Sequence, residues 1–329
     1  MRNHVKETRG SWRNRILPTA AIVALAVPVF LGLMTASRLQ AQSPTGRSPA
    51  AAEEKLAFEV GSVKTNKSND PPYSNVPLGR GGIYTPTGGL FSATNWPLIA
   101  YILFAYNVTP AGVQFLLPQL PKWATSDRFD IQARAEGNPT KDQMRLMMQS
   151  LLADRYKLVM HYETRQLPVF ALVLLKPGKT GPQLQSRSDN TLCSTALPAP
   201  GTAEPPTAPG GFPTICGGIV IMQPSTVGRE RAGARNVTIE FIANSLPGLG
   251  TLDRPILDRT GLSGNFDFVV EWTPDVRPAF LPPNANFTPD PTGPTFLEAL
   301  QEQLGIKLES TTGLVDVLVV DHVEEPSPN

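Results

Sequence analysis

The sequence predicts an α+β fold made of two copies of one small module. Three observations carry that prediction. Apolar residues recur at helical spacing in some stretches and alternate in others, and turn residues separate the two kinds. The stretches are short and interleaved, as in α+β domains. The same order of motifs also occurs twice: "FSATNWPLIAYILFAYNV" at 91–108 matches "AGARNVTIEFIANSLPGL" at 232–249, aligning Asn95 with Asn236. "RFDIQARAEG" at 128–137 matches "NFDFVVEWTP" at 265–274 through Phe129-Asp130-Ile131 and Phe266-Asp267-Phe268. "MMQSLLADRYKL" then matches "LQEQLGIKL", placing Lys157-Leu158 opposite Lys307-Leu308, and "RQLPVFALVL" matches "TGLVDVLVVD".

Taken in order, residues 1–41 read as a signal peptide or N-terminal anchor. Arg2, Lys6, Arg9, Arg13 and Arg15 precede the apolar run 16–34, and a small-residue exit follows with Ala41 as the expected cleavage point. Export places the rest of the chain in the periplasm or outside the cell. An uncleaved run would anchor it to the inner membrane, the only membrane contact expected. Residues 42–54 are a polar tether. Residues 55–176 form the first module, 177–231 a Pro/Gly-rich connection, and 232–325 the second module.

Each module is expected to run strand, helix, strand, helix, hairpin. In the first, Asn95 is placed to cap a helix with Leu98, Tyr101, Ile102 and Ala105 on one face. Phe129 and Ile131 share a strand face. Thr140 and Gln143 have capping-box spacing ahead of a buried stripe of Met144, Met147, Met148 and Leu151. Thr295 and Glu298 repeat the box before a stripe of Leu297, Leu300 and Leu304, and Gly305 supplies a left-handed stop. A hairpin then closes each copy, with Leu158, Met160 and Tyr162 on one face of its first strand.

Composition narrows function. The 29 basic and 28 acidic residues balance, and no basic face marks a nucleic-acid partner. The two cysteines, Cys193 and Cys216, lie in the connection and are expected to pair in an oxidising compartment, the alternative being two separate thiols. Neither has neighbouring ligands, so no metal or other cofactor is expected.

Candidates for catalysis are few. His4 lies in the targeting segment and His322 at the end of the last strand, while His161 falls on the polar face of its strand beside Lys157 and Glu163. No nucleophile motif accompanies it. Asp127, Glu136, Asp154 and Glu163 are the carboxylates of the first copy, and Asp258, Asp267 and Glu271 those of the second. The Asp-Arg pairs 127–128, 154–155, 253–254 and 258–259 stand at predicted turns or element ends, where aspartate commonly caps backbone N–H groups. Asp130 and Asp267 alternate with core phenylalanines and read as cross-strand or solvent partners. "GRGG" at 79–82 lacks the Lys-Ser/Thr and the helix of a phosphate loop. No catalytic residue is assigned.

The stretches "FEVGSVKTNKS", "NPTKDQMRLMMQSLLADRYKLVMHYETRQLPVFALV", "DRTGLSGNFDFVVEWTPD" and "ALQEQLGIKLESTTGLVDVLVVDHVEEPS" resemble a family of exported bacterial proteins of unknown function. That family has many paralogous copies in acidobacteria and related soil bacteria. The resemblance brings no catalytic residues. Some relatives are similar to the ectodomains of β-lactam-sensor membrane metallopeptidases, but this chain has no HExxH. The helix-before-hairpin segments are also loosely similar to the short N-terminal domains of secretins and TonB-dependent receptors.

The resulting expectation is a non-enzymatic module that binds or scaffolds an envelope protein through open hairpin edges. A ligand sensor for a cell-wall fragment or antibiotic, with a cleft between the copies, is the second reading. A carboxylate-dependent hydrolase is the third.

Overall fold

The computed structural model describes residues 56–187, 193, 207, 209–276 and 286–326. All of these belong to one compact unit beginning at Ala52. The expected targeting segment, the Ala41 cleavage point, His4 and the tether 42–54 lie outside the described residues.

The fold is α+β, as expected. In the first half, strands β1 (Val60–Asn66), β2 (Tyr73–Ser74), β3 (Leu90–Trp96) and β4 (Arg128–Arg134) form an antiparallel sheet in the order β1-β4-β3-β2. In the second half, β6 (Leu184–Ser186), β7 (Ile219–Met222), β8 (Glu230–Thr238) and β10 (Asn265–Trp272) repeat that order as β6-β10-β8-β7. Residues 177–231, expected as a connection, therefore supply β6, β7 and the start of β8. Short, turn-bounded strands inside a Pro/Gly-rich stretch gave too little periodicity to be read as part of a sheet.

Alternation accounts for the buried faces. Phe129, Ile131 and Ala133 turn inward in β4, as Phe266, Phe268 and Val270 do in β10. In the first half they meet α1 (Leu98–Ala105) and α4 (Lys141–Arg155), whose Met144, Met147, Met148 and Leu151 are all buried. The short helices α2 (Pro110–Leu116) and α3 (Trp123–Ser126) complete that half. In the second half the inward residues meet α5 (Ile239–Leu249) and α6 (Phe296–Ala299), which widens into a π-helical turn over Leu300–Leu304. Both capping boxes form, Thr140 with Gln143 and Thr295 with Glu298, each worth about 1 kcal/mol.

Four expectations change. Asn95 is not a helix cap; Pro97 takes that position without a side-chain bond. Asn95 and Asn236 instead sit at left-handed φ of 60° and 57°, each where the sheet register shifts. Leu297 is exposed, because Phe296 takes the inward position against Trp272, with ring centroids 5.1 Å apart. The alignment of Lys157 with Lys307 slips by two residues. The left-handed residues that end the two helices are Lys157 and Gly305, so Leu158 corresponds to Ile306, and both are buried.

The fourth change is the largest: neither half ends in a hairpin. Each ends in one long strand, β5 (Val159–Leu174) and β11 (Ile306–His322), and the two pair with each other antiparallel along their length. The stretch Tyr162–Pro168 holds no Gly, Asn or Asp to supply a positive-φ turn position. Gly313 does not turn either. A Cβ there would lie 2.5 Å from Leu257 Cδ1, so its role is close approach. A short strand, β9 (Ile256–Asp258), adds in parallel to β5 at Phe170–Leu172.

The resulting ribbon crosses both cores. β5 begins with Met160 on the first core, just after buried Leu158, and ends with Leu172 in the second. β11 begins with Ile306 in the second core and ends with Val320 on the first. Each half thus buries the far end of the other's last strand.

Candidate binding site

The ribbon's hydrogen-bond phase sets which backbone groups look outward. Phe170 N–H donates to Pro255 O at 2.9 Å, and Leu172 O accepts from Arg259 N–H at 2.9 Å, so even-numbered residues of β5 face away from β11. Even residues of β11 oppose even residues of β5 and face away in turn. At the C-terminal end of β11, Gln119 imitates a neighbouring strand. Its Nε2 donates to Leu318 O at 3.1 Å and its Oε1 accepts from Val320 N–H at 3.0 Å.

The two outer edges differ. That of β5 is covered by β9 at 170–172 and carries Pro168, which has no N–H to offer. Opposite Pro168 stands Thr312 of β11. Among the described residues nothing bonds the outward N–H groups of Leu308, Ser310, Thr312, Leu314 and Asp316. Leu314 is 68% exposed. No lysine or proline guards that window, the usual means of blunting an edge.

The window runs into a cleft of about 540 Å³ where both halves and the ribbon meet. Its lining includes Arg80, Tyr106 and Asn107 from the first half, Glu240 and Asn244 on α5, and Tyr162 and Leu314–Leu318 of the ribbon. Arg80 donates from Nη1 to Asn107 O at 2.8 Å, and Tyr162 Oη donates to Tyr106 O at 3.3 Å. Burial lowers the Arg80 pKa, with Arg145 acting in the same direction and Glu240 against it. Burial raises the Tyr162 and Tyr106 hydroxyls.

The glycine loop that carries Arg80 is the reverse of a phosphate cradle. Its carbonyls point at an ammonium: Lys141 Nζ lies 2.7 Å from Gly82 O, 3.3 Å from Arg80 O and 3.5 Å from Gly79 O. Gly81 O accepts from Ile219 N–H at 3.1 Å, so the loop also ties the first half to β7.

The residues weighed as catalytic lie elsewhere. His161 is about half exposed and its Nδ1 is 2.8 Å from Asp321 Oδ2; His322 pairs with Glu324. Asp258 holds Thr260 N–H and Oγ1, an Asx turn. Glu271 accepts from Ser225, Glu163 pairs with Arg165, Asp154 with Arg155, and Asp127 accepts from Ser126. Asp130 and Asp267 receive the backbone N–H of Asn95 and Asn236 across the sheet. Glu136 lines a separate surface hollow. The cleft's own carboxylates, Glu240 and Asp316, were not singled out in the sequence, since each lies in an ordinary amphipathic stretch. Cys193 and Cys216 are joined in a disulfide. Among the described residues no three His, Cys, Asp or Glu side chains converge to hold a metal, and no helix is long and apolar enough to cross a membrane.

Like-ordered sheets tied by a shared ribbon, with an open edge and a cleft, define a class of mixed α+β fold. Within that class the chain belongs to the DUF3738 family of proteins of unknown function, whose model matches residues 99–323. No curated protein and no solved structure matches it.

Proposed function

We propose that this chain is an exported, non-enzymatic binding protein of the bacterial envelope, built by duplication of one module, and that it recognises a protein partner by strand addition along β11. The observation that carries this reading is the unguarded window 308–316. Its outward N–H groups have no described partner, while the same edge is closed at its C-terminal end by Gln119, and the opposite edge of the ribbon by Pro168 and β9. An extended segment of a partner would gain ladder hydrogen bonds there without any rearrangement of the fold. The disulfide and the basic-apolar N-terminus support export.

Thr312→Pro tests the reading. The substitution removes an outward N–H that the fold does not use, opposite a proline the ladder already tolerates. The folded protein should therefore be retained by circular dichroism. An envelope partner recovered with the native chain should be lost with T312P, and its complex should protect the amides of 308–316 from hydrogen exchange. Partners retained by T312P, or protection elsewhere, would show that the edge is not the binding surface.

A further inference from the structure

The cleft beside the window holds polar groups that the fold leaves unused. Asn107 adopts a left-handed φ of 50°, and its Oδ1 is buried with no hydrogen-bond partner. A buried acceptor of this kind costs about 1–3 kcal/mol unless a donor reaches it. Its own backbone carbonyl meanwhile fixes the Arg80 guanidinium at the cleft wall through one of five N–H groups. On the facing wall Glu240 and Asn244, one helical turn apart on α5, have no described hydrogen-bond or ion-pair partner. Val108, Phe115 and Leu314 contribute apolar surface between them. The volume, about 540 Å³, falls within the range of small-molecule sites.

We infer that this cleft is a binding site for a small peptide-like carboxylate. The acid group of the ligand would lie on the Arg80 fork and a second donor on Glu240, while Asn107 Oδ1, closed to solvent in this structure, would turn into the cleft to accept an amide N–H. The assignment follows from complementarity. A planar anion suits the guanidinium, a lone buried acceptor calls for an N–H, and a carboxylate on the opposite wall disfavours a ligand that is anionic throughout. This site shares Leu314–Asp316 with the strand-addition window, but Thr312 is not among the residues that line it, so a change at Thr312 tells the two readings apart.

N-acetyl dipeptides with a free C-terminal acid, and the same dipeptides as C-terminal amides, are the probes. Titration into the full chain followed by NMR should show the acids bound and the amides weaker by about tenfold or more, the loss of one charge-assisted pair. R80M and N107G should each weaken the acids by a similar factor. N107G keeps the left-handed backbone open while removing the acceptor. E240Q, at an exposed position, guards against a folding artefact: it should weaken dipeptides with a free amino terminus more than acetylated ones. T312P should bind the acids like the native chain, so failure here and failure of the edge reading are distinguishable. Equal affinity for acids and amides, or no shift of cleft resonances at millimolar probe, would overturn the assignment.

Discussion

The two halves solve one local problem with different chemistry. In each, an asparagine takes a left-handed conformation at a shift of register, and its N–H is received by the aspartate of the Phe-Asp motif on the adjacent strand. The distances are 2.9 Å for Asn95 to Asp130 and 2.8 Å for Asn236 to Asp267. Around Asp130 the other partner is neutral, the Asn66 amide at 2.8 Å. Around Asp267 the partners are Arg235 at 3.1 Å and Arg187 at 3.5 Å, with side chains only 13% and 4% exposed. The backbone demand is kept because an N–H turned out of the ladder must find an acceptor. The balance of charge around that acceptor is free to differ, and here it does.

The largest expected effect tests whether the halves can be separated at all. Leu158 and Ile306 hold equivalent places at or just before the start of the ribbon strands, 2% and 0% exposed. Leu158→Ala and Ile306→Ala should each cost about 2–5 kcal/mol. Since each ribbon strand begins on one core and ends on the other, the loss should appear in both halves together. Urea unfolding followed through Trp123 in the first half and Trp272 in the second should give coincident midpoints for both variants. Separate midpoints would mean that the ribbon joins two independently stable modules.

The two aspartates come next. Asp267→Asn keeps an acceptor for Asn236 N–H but removes the carboxylate between two nearly buried arginines, and should cost about 3 kcal/mol. Asp130→Asn leaves neutral partners in place, and about 1 kcal/mol is expected. Paired denaturant melts measure the difference. Equal costs would mean that the N–H acceptor, rather than the charge, governs both sites.

Local features were legible in the sequence and distant ones were not. Capping boxes, the methionine stripe and the Gly305 stop depend on residues within a few positions of each other, and they stand as read. The paired Asn95/Asn236 and Asp130/Asp267 were visible as repeats, yet joining them needs the strand register that brings β3 beside β4 and β8 beside β10. The hairpins failed for the same reason. A long β-rich stretch must find an edge, and the sequence cannot show that the edge lies about 150 residues away in the other half. The cleft draws Arg80, Asn107, Tyr162 and Glu240 from four separated stretches, each unremarkable alone.

The smallest effect probes the first position of equivalent helices. In α6 that residue is Phe296, packed edge-on against Trp272; in α4 it is Lys141, held by the carbonyls of the glycine loop. Burial, aided by Arg145, lowers Lys141 from 10.5 to about 8. Between those values the unfolded chain binds more protons than the folded one, so this group's contribution to stability rises as pH climbs from about 8 to 10.5. Below about 8 the cost of the buried ammonium is fully present. Relative to K141M, the native chain should gain about 1 kcal/mol or less across that window, because solvent still reaches the amine. An NMR titration of the Lys141 side chain should have its midpoint below the ordinary lysine value. A midpoint at the ordinary lysine value would mean that the three carbonyls offset desolvation completely, and the loop carrying Arg80 would then be held to the helix at every physiological pH.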